Sequence, residues 1–136
     1  MAISKTQQYI EAIGRRKTST ARVRLTKAKD YSMTVNEKPS GQYFITPELQ
    51  NVVRGPFLKT EIVDSFLITV KVSGGGIHSQ AEAVRHGISR ALVAINEESR
   101  VELKHKGFLK RDPRAKERRK AGNAGKARAG KQWSKR

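Results

Sequence analysis

From Tyr9 the chain alternates in the manner of a strand, and after the cationic corner Gly14-Arg15-Arg16-Lys17 the alternation becomes strict. Ala21, Val23 and Leu25 fall on one face and Thr20, Arg22, Arg24 and Thr26 on the other, because successive side chains of a strand point to opposite sides. One face is core and the other basic. Residues 27–30 read as a turn and 32–36 as a short third strand running into the breaker-rich stretch 36–41, which together predict an antiparallel meander. Thr46-Pro47-Glu48 has the chemistry of a helix start: a hydroxyl cap, a proline where the missing N–H costs nothing, and a carboxylate in the first turn. A short helix over 48–53 follows, while 56–64 mixes helix and loop signals. Phe66, Ile68, Val70 and Val72 alternate with Leu67, Thr69, Lys71 and Ser73, a more apolar strand that belongs near the centre of a sheet.

Gly74, Gly75 and Gly76 end that strand, and a long helix is expected over 79–95, where Ala81, Val84, Ile88, Ala91, Leu92 and Ile95 make an apolar stripe at helical spacing. Ser99 and Glu102 form a capping-box pattern for another short helix. Lys104, His105 and Lys106 before Gly107 would end it, with cations on the negative pole and a residue tolerant of left-handed backbone at the stop. Phe108 and Leu109 are the last apolar anchor. Asp112-Pro113 reads as a turn and 116–120 as a nascent helix that firms up on binding. The chain has no internal repeat.

Charge changes this picture by dividing it. Residues 104–136 carry 14 Lys/Arg against only Asp112 and Glu117, a net +12 of the chain's +17. From Ala115 onward the only large apolar side chain is Trp133. Such a segment has too little apolar surface to offset a backbone ordering entropy of roughly 1–2 kcal/mol per residue, so alone it is expected to be disordered. Phosphates that neutralise it would order it, which makes RNA the first candidate partner. The expected organisation is a flexible N-terminus over 1–8, a globular domain over 9–110 and an extended basic tail over 111–136. The absence of Cys excludes disulfides, thiolate zinc sites and thiol nucleophiles. Nothing resembles a membrane span or a signal-peptide core, so no membrane partner is expected.

The candidate chemistry is ionic. Arg15, Arg16 and Lys17, with Thr18, Ser19 and Thr20 beside them and Arg22 and Arg24 continuing along one strand face, suit adjacent backbone phosphates; the plain alternative is a solvated turn. Gly74 to Gly76 before a helix invite a phosphate-cradle reading, but no Lys-Ser/Thr ending completes a P-loop. A tight crossing that only glycine allows explains them better. His78, His86 and His105 have no zinc or triad spacing, so no metal and no cofactor is expected. Arg85 and Arg90 suit either an ion pair with Glu82 and helix-end groups or a phosphate contact.

Taken in order, Gly14-Arg15-Arg16-Lys17, Ala21-Arg22-Val23, Gly74-Gly75-Gly76, Gln80-Ala81, Arg85-His86-Gly87-Ile88, Arg90-Ala91-Leu92, Gly107-Phe108-Leu109, Arg111-Asp112-Pro113-Arg114, Glu117-Arg118 and Ser134-Lys135-Arg136 resemble the bacterial type of the small-subunit ribosomal protein nine family. The match spans residues 9–136. The resemblance implies an α/β (α+β) fold like the second domain of ribosomal protein five, a four-stranded mixed sheet covered by helices. It implies a non-enzymatic, cytoplasmic component of the ribosome with no small-molecule substrate, bound to small-subunit ribosomal RNA in the head beside neighbouring head proteins. Its implied ribosomal-RNA contacts are Arg15, Arg16, Lys17, Arg22, Arg24, Arg85, Lys110, Arg111, Arg114, Lys116, Arg118, Arg119, Lys120, Lys126 and Arg128. Ser134, Lys135 and Arg136 would reach the anticodon stem-loop of peptidyl-site transfer RNA, and the 24 residues after Asp112 could span about 80 Å at roughly 3.3 Å per residue. Trp133 stands where the family usually has Phe, and Ser79 where it commonly has Gly.

Overall fold

The computed structural model of the chain describes residues 8–60, 62 and 65–134. Most of the expected N-terminal segment 1–8, together with Lys135 and Arg136, lies outside these described residues. Two long strands, β1 (Tyr9–Arg16) and β2 (Ser19–Lys27), form a hairpin closed by Lys17 and Thr18. Lys17 holds a positive φ of 51°, the sense of turn that matches strand twist. The tight bend therefore belongs to Lys17 and Thr18, and Gly14 sits within β1.

After β2 the chain does not turn back beside it. β3 (Ser32–Val35), β4 (Lys38–Pro39), α1 (Ser40–Tyr43) and α2 (Pro47–Lys59) intervene before β5 (Phe66–Ser73), which inserts between β2 and β3. The sheet order is β1-β2-β5-β3-β4, with β3 parallel to β5 and the other pairs antiparallel. The sheet is thus mixed, as expected, but five-stranded rather than four-stranded, and the meander is wrong. The turn after Lys27 spans the end of a third strand, and the Ala28 N–H donates to the Ser65 carbonyl at 3.0 Å there. A parallel β3/β5 pair needs a crossover, and α1 and α2 supply it. β4 escaped the reading because it is two residues long and ends in an edge-tolerated proline.

α2 runs well past the expected 48–53. Leu49, Val53 and Pro56 are buried at helical spacing, so the apolar face carries the helix through a proline that lacks its N–H. Thr46 caps with its backbone only; its carbonyl accepts from Leu49 and Gln50, and its hydroxyl makes no capping bond. α3 (Ile77–Ile95) packs across β1 and β2 with α2 beside it. Ala81, Val84, Ile88, Ala91 and Leu92 are buried as the stripe required, and Ile95 is partly so. α4 (Ser99–His105) begins with Ser99 already helical, so the expected capping box does not form. Its end follows expectation, with Gly107 at φ 73°.

The core lies on one side of the sheet, where Ala21, Val23, Leu25, Ile68, Val70 and Val72 meet the helices. Two glycines allow the closest approach. A Cβ on Gly14 would lie 1.8 Å from the Ala83 carbonyl oxygen and 2.3 Å from the Gly87 nitrogen, and one on Gly87 would lie 2.7 Å from Val23 Cγ2. β1 and α3 therefore touch backbone to backbone. Phe108 and Leu109 pack against the core, after which residues 110–134 contain no helix or strand, including the stretch 116–120.

Candidate nucleic-acid interface

The face of the sheet away from the helices carries Arg22 and Arg24 on β2 and Thr69 and Lys71 on β5, which line one shallow hollow. Register places Arg22 directly opposite Lys71. Like charges in that position oppose sheet pairing, and neither residue has an ion pair among the described residues. Arg24 is less free. Its guanidinium donates to Glu11 at 2.7 Å and lies 4.7 Å from the centre of the Tyr9 ring. The Glu11 hydrogen bond, ahead of the opposing effect of burial, raises its affinity for the proton.

Alternation sends the two hairpin arginines apart. Arg15 shares the open face with Thr20 and Arg22, whereas Arg16 turns to the helix side. Arg16 donates through Nε to Glu82 at 2.5 Å and through Nη1 to the Arg114 carbonyl at 2.7 Å, and its Nη2 lies 3.5 Å from Asp112. Its side chain is only 12% exposed. All three guanidinium nitrogens are engaged within the chain.

Around the same corner, the Arg111 guanidinium donates to the Lys17 carbonyl at 3.3 Å. Asp112 accepts from the Arg114 backbone N–H at 3.0 Å and from its guanidinium at 2.8 to 3.1 Å. These Arg114 hydrogen bonds, side-chain first, hold the Asp112 carboxyl well below the usual carboxylate range. The Asp112 side chain thus closes on the Arg114 backbone, but residues 111–120 contain no backbone turn or bend, so the turn expected at Asp112-Pro113 does not form. His86 on α3 accepts the Arg15 N–H at Nδ1 (3.2 Å), leaving Nε2–H to donate to the Leu109 carbonyl (3.2 Å). The ring is neutral in this arrangement. Burial foremost, with Arg90 and Arg111 nearby, lowers its pKa against the pull of the Leu109 hydrogen bond.

The two arginines of α3 have partners within the chain. Arg85 lies over the Phe108 ring at 4.9 Å, and Arg90 donates to the Ile13 carbonyl at 2.6 Å. Glu82 takes Arg16 as its partner instead. The glycine loop is used by the hairpin: a Cβ on Gly75 would sit 2.2 Å from Ser19 Oγ, and Ser19 Oγ and Gln80 Nε2 both donate to the Gly74 carbonyl. Gly74 and Gly75 hold φ values of 77° and 61°. The loop serves a close crossing, with the room over Gly74 and Gly75 taken by Thr18 and Ser19.

Lys110, Lys116, Arg118, Arg119, Lys120 and Lys126 are exposed. Arg128 forms a fork with Glu117 at 2.6 and 2.9 Å, and the Lys120 N–H donates to the Lys126 carbonyl at 3.3 Å, so 117–128 closes into a loop rather than running straight. Gly122, Ala124 and Gly125 take the left-handed backbone this loop requires. Trp133 is 93% exposed, and Ser134 is exposed beside it. Among the described residues no group of His, Asp and Glu could hold a metal ion, and no helix is long and apolar enough to cross a membrane.

These features define a small, strongly basic α+β domain with an open cationic sheet face and a basic C-terminal segment rooted at the hairpin. The family described as ribosomal protein S9/S16 matches residues 14–136. Over 129 residues the chain is 50% identical to small ribosomal subunit protein uS9 of Lawsonia intracellularis (strain PHE/MN1-00), covering 95% of this chain and 98% of the relative. The chain belongs to the ribosomal protein S9 family, whose members are structural, non-enzymatic components of the small ribosomal subunit and serve translation. Its partners are accordingly ribosomal RNA and ribosomal proteins.

Sequence reasoning missed the roles of Glu82, His86 and Asp112, none of which was read as joining the C-terminal segment to the hairpin. The acids were visible as the few negative charges among many cations, but Glu82 lies 66 residues along the chain from its hairpin partner Arg16.

Proposed function

We propose that the domain over 9–110 docks on small-subunit ribosomal RNA in the head through its open sheet face and hairpin end, and that the tail over 111–136 runs on to peptidyl-site transfer RNA. In this reading the fold is of the ribosomal-protein-five second-domain type, the neighbours are other head proteins, and the place of action is the cytoplasmic ribosome. Arg15, Lys17, Arg22 and Arg24 meet phosphates from the domain. Lys110, Arg111, Lys116, Arg118, Arg119, Lys120, Lys126 and Arg128 do so along the tail, whereas Arg16, Arg85 and Arg114 act mainly through the chain's own packing. The Glu117–Arg128 loop is held by exposed charges, which water and salt screen, so phosphates can open it and restore the tail's reach. Ser134, Lys135 and Arg136 then contact transfer-RNA phosphates, adding affinity that is independent of the anticodon.

The observation that carries the docking reading is Arg22 facing Lys71 across the β2/β5 pair without an acid between them. An arrangement that opposes pairing in the free protein becomes favourable when a phosphate lies between the two cations. Replacing both by Ala is expected to make the log–log salt dependence of RNA binding shallower by about one to two units, since each neutralised phosphate contributes about 0.7 to 0.9. Stability should hold or rise by a few tenths of a kcal/mol as the repulsion goes. A double variant with the full salt slope would overturn this docking face.

A further inference from the structure

We propose that Arg16 is a positioning residue that latches the root of the C-terminal segment and sets the direction in which the tail leaves the domain. The proposal rests on the reading of 111–136 as the transfer-RNA-reaching tail, and it makes Arg16 part of the tail's mounting instead of a phosphate ligand. The geometry is a three-way fork. Nε is held by Glu82 on α3, Nη1 donates to the Arg114 carbonyl, and Nη2 faces Asp112. Glu82 makes no hydrogen bond to the tail root among the described residues; it orients the guanidinium, whose plane then fixes where Arg114 and Asp112 sit.

Two further bonds converge on the same few residues. Arg111 donates to the Lys17 carbonyl, and His86 joins the Arg15 N–H to the Leu109 carbonyl. Residues 109–114 are therefore tied to both the hairpin and α3, while among the described residues the exposed cations from Lys116 to Lys131 make no hydrogen bond or ion pair with the domain. A chain leaving from a fixed point in a fixed direction searches less space before its end finds a partner than one leaving from a swivel, which raises its effective concentration at that partner. Asp112 also neutralises part of Arg16 and Arg114, so at the root, as at the Glu117–Arg128 pair further along, arginine charge is met by the protein's own acids.

The chain lacks cysteine, so spin labels at Asn51→Cys on α2 and Ala115→Cys just beyond the root report a single distance in the full-length, RNA-free protein. Both sites are exposed. One narrow distance peak is expected for the otherwise unchanged chain, and loss of that peak for Arg16→Ala and for Glu82→Gln, with circular dichroism and the thermal midpoint showing a folded domain. Arg16→Lys should not restore the peak, because an ammonium keeps the charge but has no planar fork to hold three partners. Should Arg16→Ala fail to fold, Asp112→Asn, which lies outside the core, decides the question by the same loss. A broad distribution in the unsubstituted protein, or a narrow peak that survives these substitutions, would overturn the latch. The two readings separate in small subunits assembled with Glu82→Gln protein. Faster peptidyl-site transfer-RNA dissociation supports both, whereas an unchanged rate despite the lost peak leaves the latch standing and counts against the tail's contact with transfer RNA.

Discussion

Asn36 and Glu37 form the whole turn between β3 and β4, and both hold left-handed backbone, at φ 46° and 68°. Two positive φ values are what a two-residue turn matched to strand twist demands, and the second place is ordinarily glycine's. Glu37 has no such freedom, so Glu37→Gly is expected to raise stability by about 1 kcal/mol, read as a higher urea midpoint with an unchanged slope. Asn36 belongs there for another reason: its side-chain amide pairs with both the N–H and the carbonyl of Val72, extending the β3/β5 pairing by one residue. The residue pair was legible only as a breaker, since nothing in Asn36-Glu37 announces which strand the amide will meet. His86 makes the same point with a pH consequence. Its pKa is lowered in the folded chain, so the unfolded chain takes up the proton first. Its contribution is complete above the ordinary histidine value of about 6.5 and is lost as pH falls below that value toward the folded one. Denaturation midpoints measured from pH 7.5 to 5 should fall over this window, and His86→Gln should remove that part of the fall. A midpoint that rose on acidification, or a fall left unaltered by His86→Gln, would contradict the neutral ring that joins Arg15 to Leu109.

At the level of elements, β5 was legible as central because its inward residues are apolar without exception, and α3 because its stripe is long enough to admit one reading. The order of strands was not legible. Alternation states which face of a strand is buried but is silent on its neighbour, and a short link from β2 to β3 suits a hairpin as well as it suits a step over β5. Nor does the spelling of Gly14 and Gly87 tell a bend from a close contact; only the crossing of β1 and α3 distinguishes them. The two glycines should differ in tolerance. At Gly14 an added methyl meets the Ala83 carbonyl and the Gly87 nitrogen, groups of the helix backbone that cannot move without lifting α3. At Gly87 it meets a methyl of the buried Val23 at 2.7 Å and the Gly14 nitrogen at 3.2 Å, approaches less severe than the two backbone clashes at Gly14. Gly14→Ala is therefore expected to destabilise by about 3 kcal/mol or more and Gly87→Ala by less, within the usual overpacking range of about 1–3 kcal/mol. Equal midpoints for the two variants in urea would mean that the helix does not rest on the β1 backbone.

For the molecule as a whole, the candidate interface was legible as chemistry but only partly as geometry. The charge of the C-terminal segment and the alternation of β2 are written in consecutive residues, whereas the withdrawal of Arg16 into its contact with Glu82 depends on a helix 66 residues further along. What remains outward is consistent with the proposed division of labour: a sheet face and hairpin offered for docking, a root that holds its own arginines, and a segment whose described residues 129–134 make no hydrogen bond to the domain. Trp133, 93% exposed, contributes nothing to the core, so Trp133→Ala should leave the unfolding midpoint unchanged. If the ring stacks on a base, the same variant should weaken single-stranded RNA binding by about 1–3 kcal/mol. Removing Ser134, Lys135 and Arg136 should likewise spare folding and incorporation into small subunits, because the rest of the segment's charge is retained. The effect belongs to the later step. Loss of two side-chain cations at peptidyl-site transfer RNA should speed its dissociation, and even about 1.4 kcal/mol corresponds to tenfold in the equilibrium constant. If, as proposed, the contacts are to phosphates, several transfer RNAs should all dissociate faster, ranked by their intrinsic binding rather than by anticodon. Subunits carrying the truncated chain, compared with intact ones at matched magnesium, test this through dissociation rates and frameshifting. Unchanged values with normal incorporation would make the segment an assembly device and leave its last three residues without a role in holding transfer RNA.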